Sequence, residues 1–477
     1  MAILRRVLGS TLAVATALAA TPSFGQASPS TKRGGDLIKA GYVVMGPQGI
    51  ATARVITEAS KCPPMLVDGH AVPMTVRSPP GTAALRPTLS TAENSKASVF
   101  NVLTCEAVIA SGARRISVAG HRLPAPPKLV RRIVVIGDTG CRMKASDNAY
   151  QACNDARAFP FARLAHRAAA ARPDLILHVG DYHYRENPCP VGNAGCAGSP
   201  WGYGWAAWQA DFFRPARPLL AAAPLIVVRG NHENCARAGQ GWWRFLDPGP
   251  LQPGRDCNDP ANDHRGDNTP PYAVPLGHDT QVIVLDLASA GSKPLAADDP
   301  LLPVYQDSYR RMAALAKGAV HSFVANHKPI LGVGVAGKTA TLSGGNAAIQ
   351  SAFASLNPQL LPDGVDVLLS GHIHLWEQLG FASDHPSQFV AGFSGTEEDK
   401  VPLPSRLPAS FSPAPGAVIG AFSSWVDGFG YMTMDRLGSG RWKIRVWNLA
   451  GSAVNTCVLN GRKSQCRYDR VPASAGR

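Results

Sequence analysis

Short apolar runs recur through the middle of the chain at intervals that predict a sheet. Residues 133–136, 175–179 and 365–369 are mainly apolar, and residues 224–228 and 319–324 come close to the same pattern. Runs of this length are typical of strands that are buried on both faces. Residues 156–171 and 205–222 lie between such runs and carry helix-forming residues. This alternation predicts an α/β core.

The region before these runs has a different pattern. Residues 26–128 are rich in Val, Thr, Ser, Pro and Gly, contain short alternating runs at 53–57 and 115–119, and show no convincing helix. This pattern predicts a small β-sandwich-like domain. Prolines at 124, 126 and 127 would form the linker to a second, larger domain over residues 129–477.

Size and charge agree with a large folded protein. The chain has 477 residues, 45% of them hydrophobic, which is enough for a large core and two domains. Its net charge of +14 could steer anionic substrates, although a generally basic exported protein would have the same balance. No Lys/Arg run with interleaved aromatic residues occurs, so nucleic-acid binding is not indicated.

The first 25 residues predict an export signal. Arg5 and Arg6 precede an apolar stretch at residues 7–20, and small residues at 23, 25 and 27 fit a cleavage site. The stretch is too short to span a bilayer, and no other segment approaches about 20 apolar residues. We therefore expect a bacterial periplasmic or secreted protein without a membrane span in the mature chain.

Candidate metal ligands follow the apolar runs. Because ligands bind at the carboxyl ends of strands in an open α/β sheet, these side chains are expected to cluster. They form a mixed oxygen and nitrogen set that suits iron, zinc or manganese, and a carboxylate such as Asp181 can bridge two ions. The set comprises Asp138, Asp181, Tyr184, Asn231, His327, His372 and His374.

Each residue of this set has an ordinary alternative role on its own. An Asp after a strand is commonly a helix cap, and Tyr184 could be a packing aromatic. It is the joint occurrence of the seven that favours a metal site. Alternation puts His372 and His374 on the same side of an extended segment. Tyr182 and His183 are kept outside the ligand set.

Five short motifs carry a resemblance to a known family. They are Gly137-Asp138-Thr139-Gly140, Gly180 to Tyr184 (GDYHY), Gly230 to Glu233 (GNHE), Val324 to His327 (VANH) and Gly371 to His374 (GHIH). In this order they resemble the purple acid phosphatases, within the calcineurin-like metallophosphoesterases. The resemblance implies two mixed β-sheets packed face to face and flanked by helices. Strand-like segments at 388–393, 431–435 and 442–447 are then expected to complete the second sheet.

The resemblance also implies a binuclear metal centre, with Fe(III) and a divalent Fe, Zn or Mn ion. Asp138, Asp181, Tyr184 and His374 would hold the ferric ion. Asp181, Asn231, His327 and His372 would hold the divalent ion. His232 would contact the substrate phosphate or protonate the leaving group, with Glu233 orienting it.

The implied activity is hydrolysis of small phosphate monoesters by a metal-activated water, without a phosphoenzyme. A phosphodiesterase or nucleotide pyrophosphatase would use the same metals with a roomier pocket. A non-enzymatic metal- or phosphate-binding protein is the third possibility. The pattern specifies no oligomeric state. Insertions at 187–204 and 254–272 are expected near the pocket mouth, where Trp201, Tyr203 and Trp205 would line the pocket or pack onto the core.

Ten cysteines lie beyond the predicted cleavage site, and none falls on a candidate ligand position. An even number in an exported chain favours disulfides. Proximity in sequence suggests the pairs Cys62–Cys105, Cys141–Cys153, Cys189–Cys196, Cys235–Cys257 and Cys457–Cys466. Three of these bridges would restrain loops that follow metal motifs.

Overall fold

The computed structural model describes residues 37–86, 90–336, 341–399 and 407–469. The strands of this part, in chain order, are β1 Ile38–Met45, β2 Ala51–Thr57, β3 Met65–Val67, β4 His70–Val72, β5 Thr75–Ser78, β6 Gly81–Ala83, β7 Ser98–Phe100, β8 Leu103–Val108, β9 Ile116–Val118, β10 His121–Leu123, β11 Arg132–Ile136, β12 Met143–Lys144, β13 Ala149–Tyr150, β14 Leu175–His178, β15 Leu225–Val227, β16 Tyr272–Pro275, β17 Thr280–Val284, β18 His321–Ala325, β19 Val333–Ala336, β20 Thr341–Gly344, β21 Val365–Ser370, β22 Trp376–Phe381, β23 Ser387–Ala391, β24 Ile419–Trp425, β25 Gly430–Gly438, β26 Arg441–Asn448, β27 Ala453–Asn460 and β28 Lys463–Tyr468. The α-helices are α1 Phe161–Ala170, α2 Trp205–Trp208, α3 Arg217–Ala222, α4 Gly239–Phe245, α5 Asp263–Gly266, α6 Leu301–Ala316 and α7 Ala347–Ala354.

Two large mixed sheets organise the molecule. The first has the order β28-β27-β26-β25-β11-β14-β15-β1-β2-β8-β5, and the second has the order β16-β17-β18-β21-β23-β22-β24. Parallel strands lie at the centre of each: β11, β14 and β15 in the first, and β17, β18, β21 and β23 in the second. Their carboxyl ends therefore share one edge of each sheet.

Alternation along the central strands explains why the sheets pack face to face. Ile133 and Val135 of β11 lie in the core cluster shared with Phe323 of β18 and Leu369 of β21. Val134 and Ile136 point to the opposite face, where α1, α3 and α4 cover the first sheet. Helices α6 and α7 cover the outer face of the second sheet in the same way. The predicted two-sheet core flanked by helices is confirmed.

The N-terminal region is β-rich, as predicted, and its strands continue the first sheet. Strand β1 pairs in parallel with β15, and β2, β8 and β5 follow outward. A four-stranded sheet, β10-β9-β3-β4, packs against this extension through buried residues such as Met65 and Val118. The arrangement is sandwich-like, but one of its layers belongs to the catalytic sheet. A domain boundary near residue 128 stays a prediction.

The assignment of the late strands to the second sheet was wrong for two of the three segments. Strands β25 and β26 join the first sheet, where β25 pairs with β11 through Met432↔Val135. Only β23, the segment predicted at 388–393, lies in the second sheet. Met432 and Met434 face the inter-sheet core, which explains why burial favours this position.

Predicted helices appear with changed boundaries. The segment 156–171 begins its helix at Phe161, directly after Pro160. The segment 205–222 is divided into α2, a π-helical turn at Gln209–Phe213, and α3. Pro215 and Pro218 lie near the junction and lack the backbone N–H that a continuous helix requires.

All five predicted disulfides are confirmed: Cys62–Cys105, Cys141–Cys153, Cys189–Cys196, Cys235–Cys257 and Cys457–Cys466. The predicted signal peptide at 1–25 lies outside the described residues. Within the described ranges, no helix has the length and apolar character needed to cross a membrane.

Candidate metal centre

The ligand motifs meet where the two sheets present their carboxyl edges to each other. Asp138, Asp181 and Asn231 follow β11, β14 and β15 of the first sheet. His327 follows β18, and His372 follows β21, in the second sheet. The rigid strands thus bring loops that are distant in sequence to one place.

Glycines in the motifs permit this close approach. A Cβ atom on Gly230 would overlap the Asp181 carboxylate, and one on Gly371 would overlap the carboxylate of Asp138. A side chain at either position would push neighbouring strand ends apart. Close packing therefore requires glycine at these two motif positions, in addition to any effect of glycine on the turn.

Three candidate ligands have a left-handed backbone. Their φ angles are +55° for Asp138, +58° for Asp181 and +73° for His372. This conformation costs roughly 1–2 kcal/mol for a residue with a Cβ atom, less where Asp bonds locally. Strain of this kind persists where the surrounding structure fixes a functional geometry. The ligand loops therefore carry a local cost that packing elsewhere offsets.

The first group of ligands is centred on the Tyr184 hydroxyl and is buried. Tyr184 Oη lies 3.0 Å from Asp138 Oδ1, 2.9 Å from Asp181 Oδ2 and 3.0 Å from His374 Nε2. His374 Nδ1 lies 2.9 Å from the carbonyl oxygen of Glu397, which orients the ring. We call Asp138, Asp181, Tyr184 and His374 the closed half of the site.

The second group is centred on His327 and opens outward at His372. His327 Nε2 lies 3.1 Å from Asp181 Oδ2 and 3.2 Å from Asn231 Oδ1. Ligand atoms of Asp181, His327 and His372 lie within 4.8 Å of one another, and His372 is exposed. We call Asp181, Asn231, His327 and His372 the open half of the site. All seven predicted ligands thus come together in these two groups, which share Asp181.

The donor chemistry of both groups fits cations. A phenol has one proton to donate, yet three acceptor atoms lie within 3.0 Å of Tyr184 Oη. His327 donates Nδ1–H to the carbonyl oxygen of Val179 at 2.9 Å, which leaves the Nε2 lone pair facing two oxygen atoms. A ring fixed through its other nitrogen is the usual arrangement of a metal-binding His. Converging lone pairs of this kind are stabilised by a positive charge between them.

The pKa values of His327 and Tyr184 show the same preference for positive charge among these acceptor atoms. Although burial lowers it, the Asp181 carboxylate raises the pKa of His327 to about 9. Burial, followed by Asp138 and Asp181, raises the pKa of Tyr184 well above its usual value. Tyr184 therefore becomes a phenolate only beside a strong Lewis acid.

His232 stands against both halves. Its ring centroid is 3.9 Å from that of Tyr184, and its Nε2 lies 3.8 Å from Asp181 Oδ2. Its backbone N–H donates to Asp181 Oδ1 at 2.9 Å. The imidazole thus borders the ligand cluster, next to the shared carboxylate.

Two buried charged residues that the sequence analysis missed hold the His232 ring. Glu186 Oε1 lies 2.9 Å from His232 Nδ1, and Arg237 Nη2 lies 2.6 Å from the same atom. Glu186 and Arg237 form an ion pair with each other. Tyr203 donates its hydroxyl to Glu186 Oε2 at 2.9 Å. This network fixes the position of the imidazole.

The expected orientation of His232 by Glu233 needs correction. Glu233 accepts backbone N–H groups from Asp181, Tyr182, His183 and Gly230 at 2.8–3.2 Å. Its carboxylate is therefore committed to the loop that carries Asp181. Burial, followed by the charge of Asp181, raises the pKa of Glu233 to about 8. The acid that contacts the His232 ring is Glu186.

Two residues inside the GDYHY motif, Tyr182 and His183, contact groups outside the ligand set. Tyr182 stacks on His178 with ring centroids 3.7 Å apart, and His183 bonds the Gly202 carbonyl oxygen at 3.0 Å through Nε2. Neither is part of the ligand groups. Asp211, a third residue that the sequence analysis missed, accepts the N–H of Tyr184 at 2.7 Å and holds the backbone of this motif in place.

The aromatic residues of the first insertion mainly pack inward. Tyr203 and Trp205 are buried in the core cluster to which residues of α2 and α4 also belong. Trp201 is partly exposed and carries the Lys96 ammonium 3.9 Å above its ring. Two of the three aromatic residues therefore pack onto the core, and only Trp201 is exposed enough to line a pocket. In the second insertion, Asp263 pairs with Arg86, and Asp267 accepts the N–H of Cys235.

A two-sheet α/β core with an oxygen and nitrogen ligand set at its carboxyl edge is the arrangement of a metallohydrolase. The family model for calcineurin-like phosphoesterases matches residues 131–375, just over half of the 477 residues, and the chain belongs to this family. Membership implies a binuclear metal centre and metal-dependent hydrolysis of phosphoesters. No curated protein matches the chain by sequence.

Solved structures share the fold at low identity. Purple acid phosphatase PPD1 from yellow lupin (Lupinus luteus) seeds superposes with a TM-score of 0.50 and 12% identity, over 89% of this chain and 73% of that chain. PhoD gives a TM-score of 0.49 and 12% identity, over 89% and 90% of the two chains. A dimetal phosphatase from Danio rerio gives 0.35 and 11%, over 70% and 99%. The lupin enzyme supports the fold alone.

Proposed function

We propose that this protein is an exported binuclear phosphatase that hydrolyses phosphate monoesters, of the acid phosphatase type. The observation that carries the proposal is the Tyr184 hydroxyl, which lies within 3.0 Å of Asp138, Asp181 and His374. A phenol, two carboxylates and one imidazole form a hard, oxygen-rich set that suits a ferric ion.

The two halves divide the metals between them. The closed half would hold Fe(III) through Asp138, Asp181, Tyr184 and His374. The open half would hold a divalent Fe, Zn or Mn ion through Asp181, Asn231, His327 and His372. Asp181 would serve both ions, and its carboxylate would screen their mutual repulsion.

His232 is the proposed proton donor. When bound, the two cations polarise the phosphoryl oxygens and lower the pKa of the attacking water. Burial, followed by the charge of Arg237, lowers the pKa of His232 to about 4, so the neutral ring holds one proton. Held at Nε2, on the side of the ligand cluster, this proton is given to the leaving-group oxygen as the ester bond breaks. Glu186 and Arg237, at 2.9 Å and 2.6 Å from Nδ1, hold the ring in this position. Glu233 keeps Asp181 in place through the backbone of its loop.

One observation favours a second candidate, a phosphodiesterase or nucleotide pyrophosphatase. A cleft of about 660 Å³ adjoins His372, and this volume exceeds what an inorganic phosphate needs. A second ester group could therefore be accommodated. The same metals and the same His232 would serve that reaction.

Hydrolysis of matched esters separates the candidates. The iron- and zinc-loaded protein is assayed with 4-nitrophenyl phosphate and bis(4-nitrophenyl) phosphate, with metal content measured on the same samples. We expect a higher kcat/KM for the monoester. A higher value for the diester would favour the second candidate, and absence of metal-dependent turnover on both would refute the hydrolase proposal.

Export is supported by the five disulfides, which are typical of proteins that mature in an oxidising compartment. We expect the protein recovered from the periplasm or medium of a bacterial host to begin between residues 24 and 29. Sequencing of its first residues tests this. An intact Met1 in the recovered protein would contradict the predicted signal peptide.

A further inference from the structure

The cleft beside His372 has a built polar lining. It extends from the open half between the β19–β20 hairpin and the start of α7, with a volume of about 660 Å³. Its polar side chains are Ser292, Lys328, Ser343, Asn346, His372 and Asp399. Because the cleft begins at a proposed ligand of the divalent ion, a group attached to phosphorus at the open half would extend into it.

Lys328 is the cation of this cleft, and its charge is only partly compensated. The ammonium donates one hydrogen bond, to the carbonyl oxygen of Ala290. No carboxylate among the described residues forms an ion pair with it, although the side chain is partly buried. Two N–H groups are left for another acceptor. A partly buried ammonium without a counter-ion is stabilised when an anion binds beside it.

The negative charge of the cleft, on Asp399, lies on a different side from the Lys328 ammonium. Asp399 accepts the backbone N–H of His374 at 2.9 Å, which keeps its carboxylate on the side of the closed half. Lys328 lies on the side of residues 290–292 and Asn346. An anionic group in the cleft would therefore be attracted to the Lys328 side and repelled from the Asp399 side.

We propose that the cleft binds the leaving group of the substrate and that Lys328 selects phosphate esters whose alcohol part carries a second anionic group. This inference rests on the proposed function, because it places phosphorus at the two halves of the metal centre. The selectivity resides in binding of the leaving group, and its main effect is on KM.

Three esters of one shape test the preference. 4-Ethylphenyl phosphate, 4-(carboxymethyl)phenyl phosphate and 4-(2-aminoethyl)phenyl phosphate have closely matched leaving groups and differ in the charge of the substituent. For the wild-type protein we expect a KM about tenfold lower for the carboxylate than for the ethyl ester, with similar kcat values. The ammonium ester is expected to have the highest KM.

Variants assign the preference to Lys328. In Lys328→Met the KM ratio between the ethyl and carboxylate esters is expected to fall to about one, whereas Lys328→Arg retains it. Lys317→Met, which removes an exposed lysine at the end of α6, serves as the matched control and keeps the wild-type ratio. Metal content is compared across all variants, because Lys328 neighbours His327.

A measurement on the wild-type protein alone guards against a variant that does not fold. The product 4-hydroxyphenylacetate should inhibit hydrolysis about tenfold more strongly than 4-ethylphenol. Equal KM values for the charged and uncharged esters, or an unchanged ratio in metal-loaded Lys328→Met, would overturn the inference. Hydrolysis of none of the esters would instead refute the proposed function, and the inference with it.

Discussion

The two halves of the metal centre share Asp181 but differ in burial and in donor type. The closed half surrounds the Tyr184 hydroxyl with buried side chains, mostly through oxygen. The open half has two imidazoles and an amide, and its His372 is exposed beside the cleft. The difference suggests that one half retains a hard cation, while the other exchanges its ion and receives substrate.

The largest effect is expected where the halves overlap. Asp181→Ala removes the carboxylate that belongs to both groups, so both ions should be lost and activity should fall by about 10⁴-fold or more, equivalent to about 5 kcal/mol. Metal analysis and a phosphatase assay measure this. Asp147→Ala, which changes a surface acid, is the control. Two tightly bound metals in Asp181→Ala would contradict the bridging role.

His232 tests whether the residue between the halves acts in catalysis or in metal binding. His232→Ala should keep both metals and lower kcat by about 10²–10⁴-fold, because a positioned proton donor is lost. Glu186→Gln should lower kcat by a smaller factor, since the ring keeps its contacts with Arg237 and Tyr184. A wild-type kcat in His232→Ala would make the residue structural.

Removing His372 should weaken only the open half. In His372→Ala the affinity for the divalent ion is expected to fall by about 100-fold, with the tightly held ion retained. Titration of the half-loaded protein with Zn²⁺, followed by calorimetry, gives this affinity. Loss of both ions at once would show that the halves are not independent.

Tyr184 gives the complementary change in the closed half. A tyrosinate bound to ferric iron produces a charge-transfer band, so iron-loaded protein is expected to be visibly violet. Tyr184→Phe should lose the band and about tenfold of the affinity for the trivalent ion, whereas Tyr182→Phe should retain both. If the colour survives in Tyr184→Phe, the assignment of a ferric ion bound by Tyr184 fails. A general two-metal phosphoesterase with zinc or manganese would then be the better interpretation.

A further effect, on stability instead of activity, concerns the wall of the open half. Buried Glu377 accepts the N–H of Val333, at the start of the hairpin beside the cleft, and burial raises its pKa from 4.5 to about 8. Because the folded state binds this proton more tightly than the unfolded state, stability is present below pH 4.5 and is lost as the pH rises through about 8. The loss is about 1.4 kcal/mol for each pH unit in this window.

Glu377→Gln should remove this dependence. The thermal midpoint of the variant minus that of the wild type is the quantity compared. This difference should be about 4 °C more positive at pH 8 than at pH 5. Asp307→Asn, an exposed acid on α6, should show no such difference. Parallel stability curves for wild type and Glu377→Gln would mean that Glu377 is ionised in the folded protein.

The sequence predicted the parts of the site that follow buried strands. Asp138, Asp181 and His372 each follow an apolar run, so their convergence could be inferred from the geometry of α/β sheets. Glu186 and Arg237 follow no such pattern. Their pairing depends on the burial of two charges from separate loops against His232, which only the folded chain reveals. Glu233 was placed correctly in a motif but contacts the backbone of a different loop.

The fold was predictable to a similar extent. Alternating residues in β25 and β26 identify strands, but a strand with one apolar face can extend either of two sheets. The choice was made by pairing with β11, where Arg132 donates to Asp435 at 2.5 Å. The disulfides could be inferred because each pair is close in sequence or joins neighbouring β-segments.

The continuity of the first sheet bears on how the protein can be produced in pieces. A fragment limited to residues 131–375 would lack β25 beside β11 and β1 beside β15. Both flanks of its three-stranded remnant would then present unpaired N–H and C=O groups and uncovered apolar side chains, which promotes aggregation. Recombinant expression of the part recognised by the family model is therefore expected to yield insoluble material. Shortened versions that start at residue 37 and extend to about residue 469 keep both flanks covered.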